Sequence, residues 1–145
     1  EHIIKAMNKI QSQSTSNPSS PAQYAALAAL TGPQDFPATM LKAFLPRRDF
    51  FVADLRRIPG VSCVNPEGAF YVFPNFSAYY GRSFQGKAIT GSVALADYFL
   101  DEAKVASVPG AAFGADPFVR FSFATSMEVI EKGMGRIKEA LARLT

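Results

Sequence analysis

The sequence has 145 residues, of which 48% are hydrophobic and 19% charged, which excludes a disordered chain and leaves enough apolar side chains for one packed core. Its formal net charge of +3 is mild, so a polyanionic partner is not indicated. No apolar run approaches the roughly 20 residues that a bilayer-spanning helix needs, so no membrane partner is expected.

Residues 3 to 10 predict a short helix with Ile3, Ala6, Met7 and Ile10 as its apolar positions. His2, just before it, is expected in solvent. Residues 12 to 20 are polar and predict a loop. A helix then opens with Ser20 as N-cap, Pro21 at the first helical position and Gln23 completing a capping box. Residues 22 to 30 are rich in Ala and Leu, and Gly32-Pro33 ends them. The next helix spans about 37 to 58, with Leu41, Phe44, Leu45, Phe51, Val52, Leu55 and Ile58 on its apolar face. Pro46 lies inside it and predicts a kink or a break. This helix also carries the densest basic cluster, Arg47, Arg48, Arg56 and Arg57. At about 100° per residue these four point in four directions, which makes no stripe for a phosphate backbone and argues against nucleic acid.

Residues 61 to 64 and 69 to 73 predict two short strands joined by an Asn65-Pro-Glu-Gly68 turn. Cys63, in the first, is the sole cysteine. It excludes an internal disulfide, is expected to pack in the core, and suits a reducing, cytoplasmic setting. Residues 74 to 91 lack periodicity and predict a loop, in which Tyr79 and Tyr80 either line a cleft or cover the core. Ser92 caps a helix to about Ala103. Strands follow at 105 to 108 and 118 to 123. The last helix has Thr125 as N-cap, Glu128 as its capping-box partner, and a stripe of Met127, Ile130, Met134, Ile137, Leu141 and Leu144. The order of elements predicts a small α/β layer, and no Gly-rich phosphate loop marks a doubly wound nucleotide fold.

Phe118-Val-Arg-Phe-Ser-Phe-Ala124 is the stretch most informative about chemistry. Strand side chains alternate, so Val119, Phe121 and Phe123 face the core while Arg120 and Ser122 share the other face. A mid-strand arginine flanked by aromatics keeps its charge and wants an anion. On pattern alone that anion is either a neighbouring Asp or Glu or the carboxylate of a ligand, held by two parallel hydrogen bonds.

Four segments now add to this reading. They are Ser12-Gln-Ser-Thr-Ser-Asn-Pro-Ser-Ser-Pro-Ala-Gln23, Asn65-Pro-Glu-Gly-Ala-Phe-Tyr-Val-Phe73, Val108-Pro-Gly-Ala-Ala-Phe-Gly114 and Val119-Arg-Phe-Ser-Phe-Ala-Thr125. In this order and spacing they resemble the C-terminal third of class I aminotransferases, of the fold-type I pyridoxal-phosphate-dependent enzymes, nearest the bacterial aspartate aminotransferase branch. The resemblance implies the α/β small domain of that fold, a short mixed or antiparallel sheet packed with helices. It makes residues 1–20 an interdomain or interface segment and residues 21–145 the C-terminal small domain. Arg120 matches the arginine that grips the substrate's α-carboxylate. Ser16 and Asn17 match a segment at the dimer interface near the partner subunit's site, and Phe70 matches an aromatic at the substrate entrance. For these three the plainer alternatives are loop capping and core packing.

The resemblance further implies amino transfer between an amino acid and a 2-oxo acid through pyridoxal 5'-phosphate, in a cytoplasmic homodimer. The family's cofactor-binding lysine is trailed by a phosphate-binding arginine, and none of Lys5, Lys9, Lys42, Lys87, Lys104, Lys132 and Lys138 has that partner. The lysine and its helpers are therefore expected upstream of Glu1. This chain is expected to hold no catalytic, cofactor-binding or metal-ligating residue, and to be inactive alone. One branch reads a distal carboxylate with an arginine at the position that is Ser12 here, so the reader of that group is not visible. Two alternatives stand beside the aspartate-type reading: an aromatic, alanine or prephenate aminotransferase, and a non-catalytic binding or scaffold module of the same fold.

Overall fold

A computed structural model describes residues 1–145, which divide into two units, Glu1–Ala38 and Thr39–Thr145. The first unit holds α1 (His2–Ser14), α2 (Ser20–Thr31) and the opening of α3 (Asp35–Arg56). Neither α1 nor α2 buries a residue, so Ile3, Met7, Ile10, Tyr24, Leu27 and Leu30 are exposed. His2 is exposed as well.

α1 runs past Ile10, where a loop is predicted from Ser12. The reason is hydroxyl chemistry: Ser12 Oγ donates to the Lys9 carbonyl at 2.9 Å and Ser14 Oγ to the Ile10 carbonyl at 3.0 Å. Such back-bonding lets serines ride on a helix that propensity alone would end. α2 starts one residue earlier than predicted, with Ser19 as N-cap and Pro21 within its first two positions. Gln23 thereby misses the capping-box position. Its side-chain amide donates instead to the Pro18 carbonyl at 2.8 Å. Gly32 ends α2, as the sequence predicts.

α3 is continuous through Pro46. Proline removes the hydrogen bond to the carbonyl four residues earlier, that of Lys42. Lys42 and Pro46 both lie on exposed surface, where water can satisfy that carbonyl. Burial starts beyond the proline, at Phe51, Val52, Asp54 and Leu55.

In the second unit a three-stranded antiparallel sheet runs in the order β1 (Tyr71–Val72), β5 (Val119–Ser122), β4 (Val108–Pro109). The predicted hairpin of 61–64 with 69–73 does not form. Ser62 makes a single antiparallel bridge with Asn75, and β1 pairs with β5. Pairing with β5 buries Val72 fully, which explains the preference. The stretch predicted as a loop contains a hairpin, β2 (Ser83–Phe84) with β3 (Lys87–Ala88). Gln85 and Gly86 between them both have positive φ, the conformation of a two-residue hairpin turn. Ser83 and Thr145 exchange both backbone hydrogen bonds at 2.8 and 3.0 Å, tying the hairpin to the end of the last helix segment.

α4 (Ser92–Tyr98) continues as a π-helical turn, Phe99–Ala103, closed by Lys104 in the left-handed region. α5 (Met127–Ala142) is capped by Ser126, whose side chain accepts from the Val129 N–H at 3.3 Å, rather than by Thr125. The α5 stripe is buried at Ile130, Met134, Ile137, Leu141 and Leu144. It packs over an aromatic centre in which Phe76, fully buried, meets Phe99 at 5.5 Å and Phe121 at 6.3 Å in edge-to-face geometry. Cys63 is in this core, and so is Tyr79, whose hydroxyl donates to the Pro59 carbonyl at 2.9 Å. The architecture is that of a small α/β domain with a short antiparallel sheet. No helix is long and apolar enough to cross a membrane.

Candidate functional site

The faces of β5 are those that strand alternation requires. Val119, Phe121 and Phe123 are buried, while Arg120 is half-buried and Ser122 exposed on the other face. Pairing fixes what stands beside the arginine. Val108 in β4 is directly opposite it, and Tyr71 is opposite Ser122 in β1, so Tyr71 is its diagonal neighbour on the same face.

The Arg120 guanidinium carbon lies 4.3 Å from the centre of the Tyr71 ring and 4.7 Å from that of Phe113. These contacts engage the flat faces of rings and consume none of the five N–H donors. The chain's ion pairs use Glu1, Asp49, Asp54 and Glu102, and none includes Arg120. It is a cation in contact with two aromatic rings, with its hydrogen-bonding fork uncommitted. That arrangement suits a planar anion such as a carboxylate.

Phe70 extends the aromatic row: its ring lies 4.5 Å from that of Tyr71, tilted by 45°, and is 42% exposed, so it is surface rather than core. Its backbone carbonyl accepts from the Phe123 N–H at 2.9 Å, and it follows Ala69, a non-glycine residue at φ 59°. Ser16 and Asn17 sit in the connection between α1 and α2, within the first unit. Both are exposed; Ser16 has φ 71°, and neither side chain caps a helix. The structure thus brings Phe70 and Arg120 to one surface through Tyr71. Ser16 and Asn17 belong to the other unit. Ser12, bonded back to its own helix, brings no positive charge to that segment.

Tyr71 and Phe113, the two walls of the guanidinium, are absent from the sequence-based site. Signals for both were present. Alternation along Phe70-Tyr-Val-Phe73 puts Tyr71 opposite in face to buried Val72, and Gly110 and Gly114 bracket Phe113 in a tight turn. No three His, Cys, Asp or Glu side chains converge as a metal site would require.

Comparison with known proteins adds to this geometry. The family described as aminotransferase class I and II matches residues 1–137. The chain belongs to the class I and II aminotransferases. It is 52% identical over 144 residues to the aspartate/prephenate aminotransferase of Cereibacter sphaeroides, covering 99% of this chain and 36% of that one. Among solved structures it is similar to the aspartate aminotransferase of Rhizobium meliloti, with a TM-score of 0.83 and 44% identity over 99% of this chain and 36% of that one. It is also similar to an alanine aminotransferase of Pyrococcus furiosus, with a TM-score of 0.74 and 32% identity over 86% and 30% of the two chains. The chain therefore spans about a third of the length of these aminotransferases. Within it, the strand that carries Arg120 and the segment that carries Phe70 both lie inside the family match.

Pyridoxal phosphate, the group this aminotransferase family implies, is held through a lysine withdrawn from water. Of the chain's seven lysines, six are exposed, and Lys138 is half-buried with its ammonium donating to Asp54 at 2.6 Å. These residues do not make the cofactor's cradle.

Proposed function

We propose that this chain is the substrate-side domain of an aspartate-type aminotransferase, and that Arg120 binds the α-carboxylate of the amino acid and of the 2-oxo acid. One observation carries the reading: a strand arginine set against Tyr71 and Phe113 with no acidic partner. Two parallel charge-assisted hydrogen bonds fix the carboxylate's plane, and with it the orientation of the reacting carbon. The two rings within 5 Å lower the polarity around the guanidinium and strengthen its pull on the anion. Phe70 borders the same surface as an entrance wall. Ser16 and Asn17 serve the site of a partner subunit in a cytoplasmic homodimer. Pyridoxal 5'-phosphate belongs to the whole enzyme, and this chain alone is inactive.

The amino-acid side chain that follows the carboxylate is less narrowly set. Phe70, Tyr71 and Phe113 next to Arg120 favour a second reading, in which apolar or ring-bearing substrates are accepted beside aspartate. The Cereibacter relative, named for both aspartate and prephenate, is consistent with that breadth.

The test is Arg120→Ala in the full-length enzyme. Losing a bidentate carboxylate grip is expected to lower kcat/KM by about 100-fold or more, chiefly through KM. A second arm compares an amino acid with its amide. The native enzyme is expected to prefer the free carboxylate strongly, and the variant is expected to lose that preference. Unchanged KM and unchanged preference would remove Arg120 from the site.

A further inference from the structure

The second wall of the Arg120 site, Phe113, stands at the tip of a loop rather than on the sheet. Residues 110–118 close on themselves: Gly110 N–H donates to the Phe118 carbonyl at 2.8 Å and Ala115 N–H to the Gly110 carbonyl at 2.9 Å. A side chain at Gly110 would lie 2.0 Å from the Ala115 oxygen, so only glycine fits this neck. The neck gives the loop its shape. Its ends are held by the pairing of β4 with β5, Pro109 opposite Val119, and a further hold acts on the loop itself.

That further hold is a buried hydroxyl on another element. Ser92, the first residue of α4, is fully buried. Its backbone N–H and its Oγ both donate to Asp116 Oδ1, at 3.2 and 2.9 Å. The same Oγ accepts from the Ala111 N–H at 3.0 Å. One hydroxyl therefore holds both arms of the loop, before and after Phe113. Two further features belong to the same latch. Gly91 lets the Asp116 carboxylate approach, since a Cβ there would sit 3.1 Å from both its oxygens. Tyr80 donates its hydroxyl to the Asp116 backbone carbonyl at 2.5 Å. Phe113 itself is half exposed and is held beyond its backbone by edge-to-face contact with Phe73 at 5.9 Å. Its place over the guanidinium depends on the tether.

We propose that Ser92 and Asp116 are positioning residues for substrate carboxylate binding: they hold Phe113 against Arg120. The proposal rests on the reading of Arg120 as the carboxylate site. It predicts an effect on substrate affinity that passes through Phe113.

The experiment is a double-mutant cycle in the full-length holoenzyme. Ser92→Ala is expected to raise KM for both the amino acid and the 2-oxo acid by about tenfold, with kcat within about twofold. Phe113→Ala is expected to raise KM similarly, and Ser92→Ala added to it to change nothing more. Asp116→Asn keeps the acceptor and stays near wild type, whereas Asp116→Ala repeats the Ser92→Ala effect. Asp116 is exposed, so this pair carries the test even where Ser92→Ala fails to fold. An unchanged KM in Asp116→Ala, or the same factor for Ser92→Ala with and without Phe113, overturns the latch. Arg120→Ala in the same series separates the two proposals: with no KM effect there, the carboxylate reading falls and the latch with it.

Discussion

Arg120 and Asp54 are opposite solutions to one problem, a charge in a partly dry place. Asp54 is 6% exposed and is neutralised within the fold, by Lys138 at 2.6 Å and Arg57 at 3.6 Å. Arg120 is left without an anion, which is what a binding residue requires. Removing a partner from a buried pair leaves an uncompensated charge, so Lys138→Met is expected to cost about 1–3 kcal/mol, read as a lower urea midpoint. An unchanged midpoint would make Arg57 or water a sufficient partner. Cys63 is governed by burial, which pushes its thiol up despite the opposing pull of a backbone hydrogen bond and Arg56. The reactive form is the thiolate, so alkylation of folded protein at neutral pH is expected to be slower than in urea by on the order of 100-fold. Equal rates would place Cys63 at the surface. Tyr80 gives a pH dependence of definite sign. Burial and the neighbouring Asp116 charge push its hydroxyl from 10.0 up to about 12. Between those values the folded chain keeps a proton that the unfolded chain has lost. Its contribution to stability is therefore complete below pH 10 and is lost as pH rises towards 12. Thermal melts across that window are expected to fall less steeply in Tyr80→Phe. Identical slopes would detach Tyr80 from the effect.

At the scale of elements, the periodic segments were the legible ones. The α5 stripe from Ile130 to Leu144 predicted a helix and a buried face, and both are present. Fully buried or nearly so, Ile137 fills space between helix and sheet, and Ile137→Ala is expected to cost about 2–5 kcal/mol in a denaturant titration. A loss below about 1 kcal/mol would mean the site collapses around the cavity. The errors cluster where neighbouring residues compete for one role. Ser19 and Ser20 both qualify as N-cap, as do Thr125 and Ser126, and in each case the geometry chose the neighbour of the residue predicted. Short strands were harder, because two residues of alternation carry almost no period. Tyr71–Val72 found its partner in β5, far along the chain, which local pattern cannot reveal. Arg120 and its face were readable from alternation alone; for Phe113 the flanking glycines marked a turn, but its contact with Arg120 comes from a loop folding back, which local pattern does not reveal. Pro46 shows a local rule giving way to context. On an exposed helix surface its missing N–H does not break the helix. Pro46→Ala is therefore expected to stabilise by roughly 1 kcal/mol, and destabilisation would show that the proline's restricted φ matters more than its lost hydrogen bond.

For the molecule as a whole, the two units differ in what they bury. Residues 39–145 enclose a continuous core, whereas α1 and α2 bury nothing of their own. Ile3, Ile4, Met7, Ile10, Tyr24, Leu27 and Leu30 all lie more than half in water. Covering a side chain of this size is worth about 1.5–3 kcal/mol, while association costs an estimated 4–15 kcal/mol in lost freedom. Seven such side chains are enough to outweigh that cost when most are covered together. The chain spans 36% of its Cereibacter relative. Alone, the chain has only copies of itself to cover them. Sedimentation equilibrium of the 145-residue chain is therefore expected to give a mass that rises with concentration. Charges placed at Ile10 and Leu27, as Ile10→Glu and Leu27→Glu, are expected to restore a monomer while leaving the urea midpoint of the second unit unchanged. A wild-type monomer at every concentration would mean that α1 and α2 carry their apolar residues for some purpose other than contact.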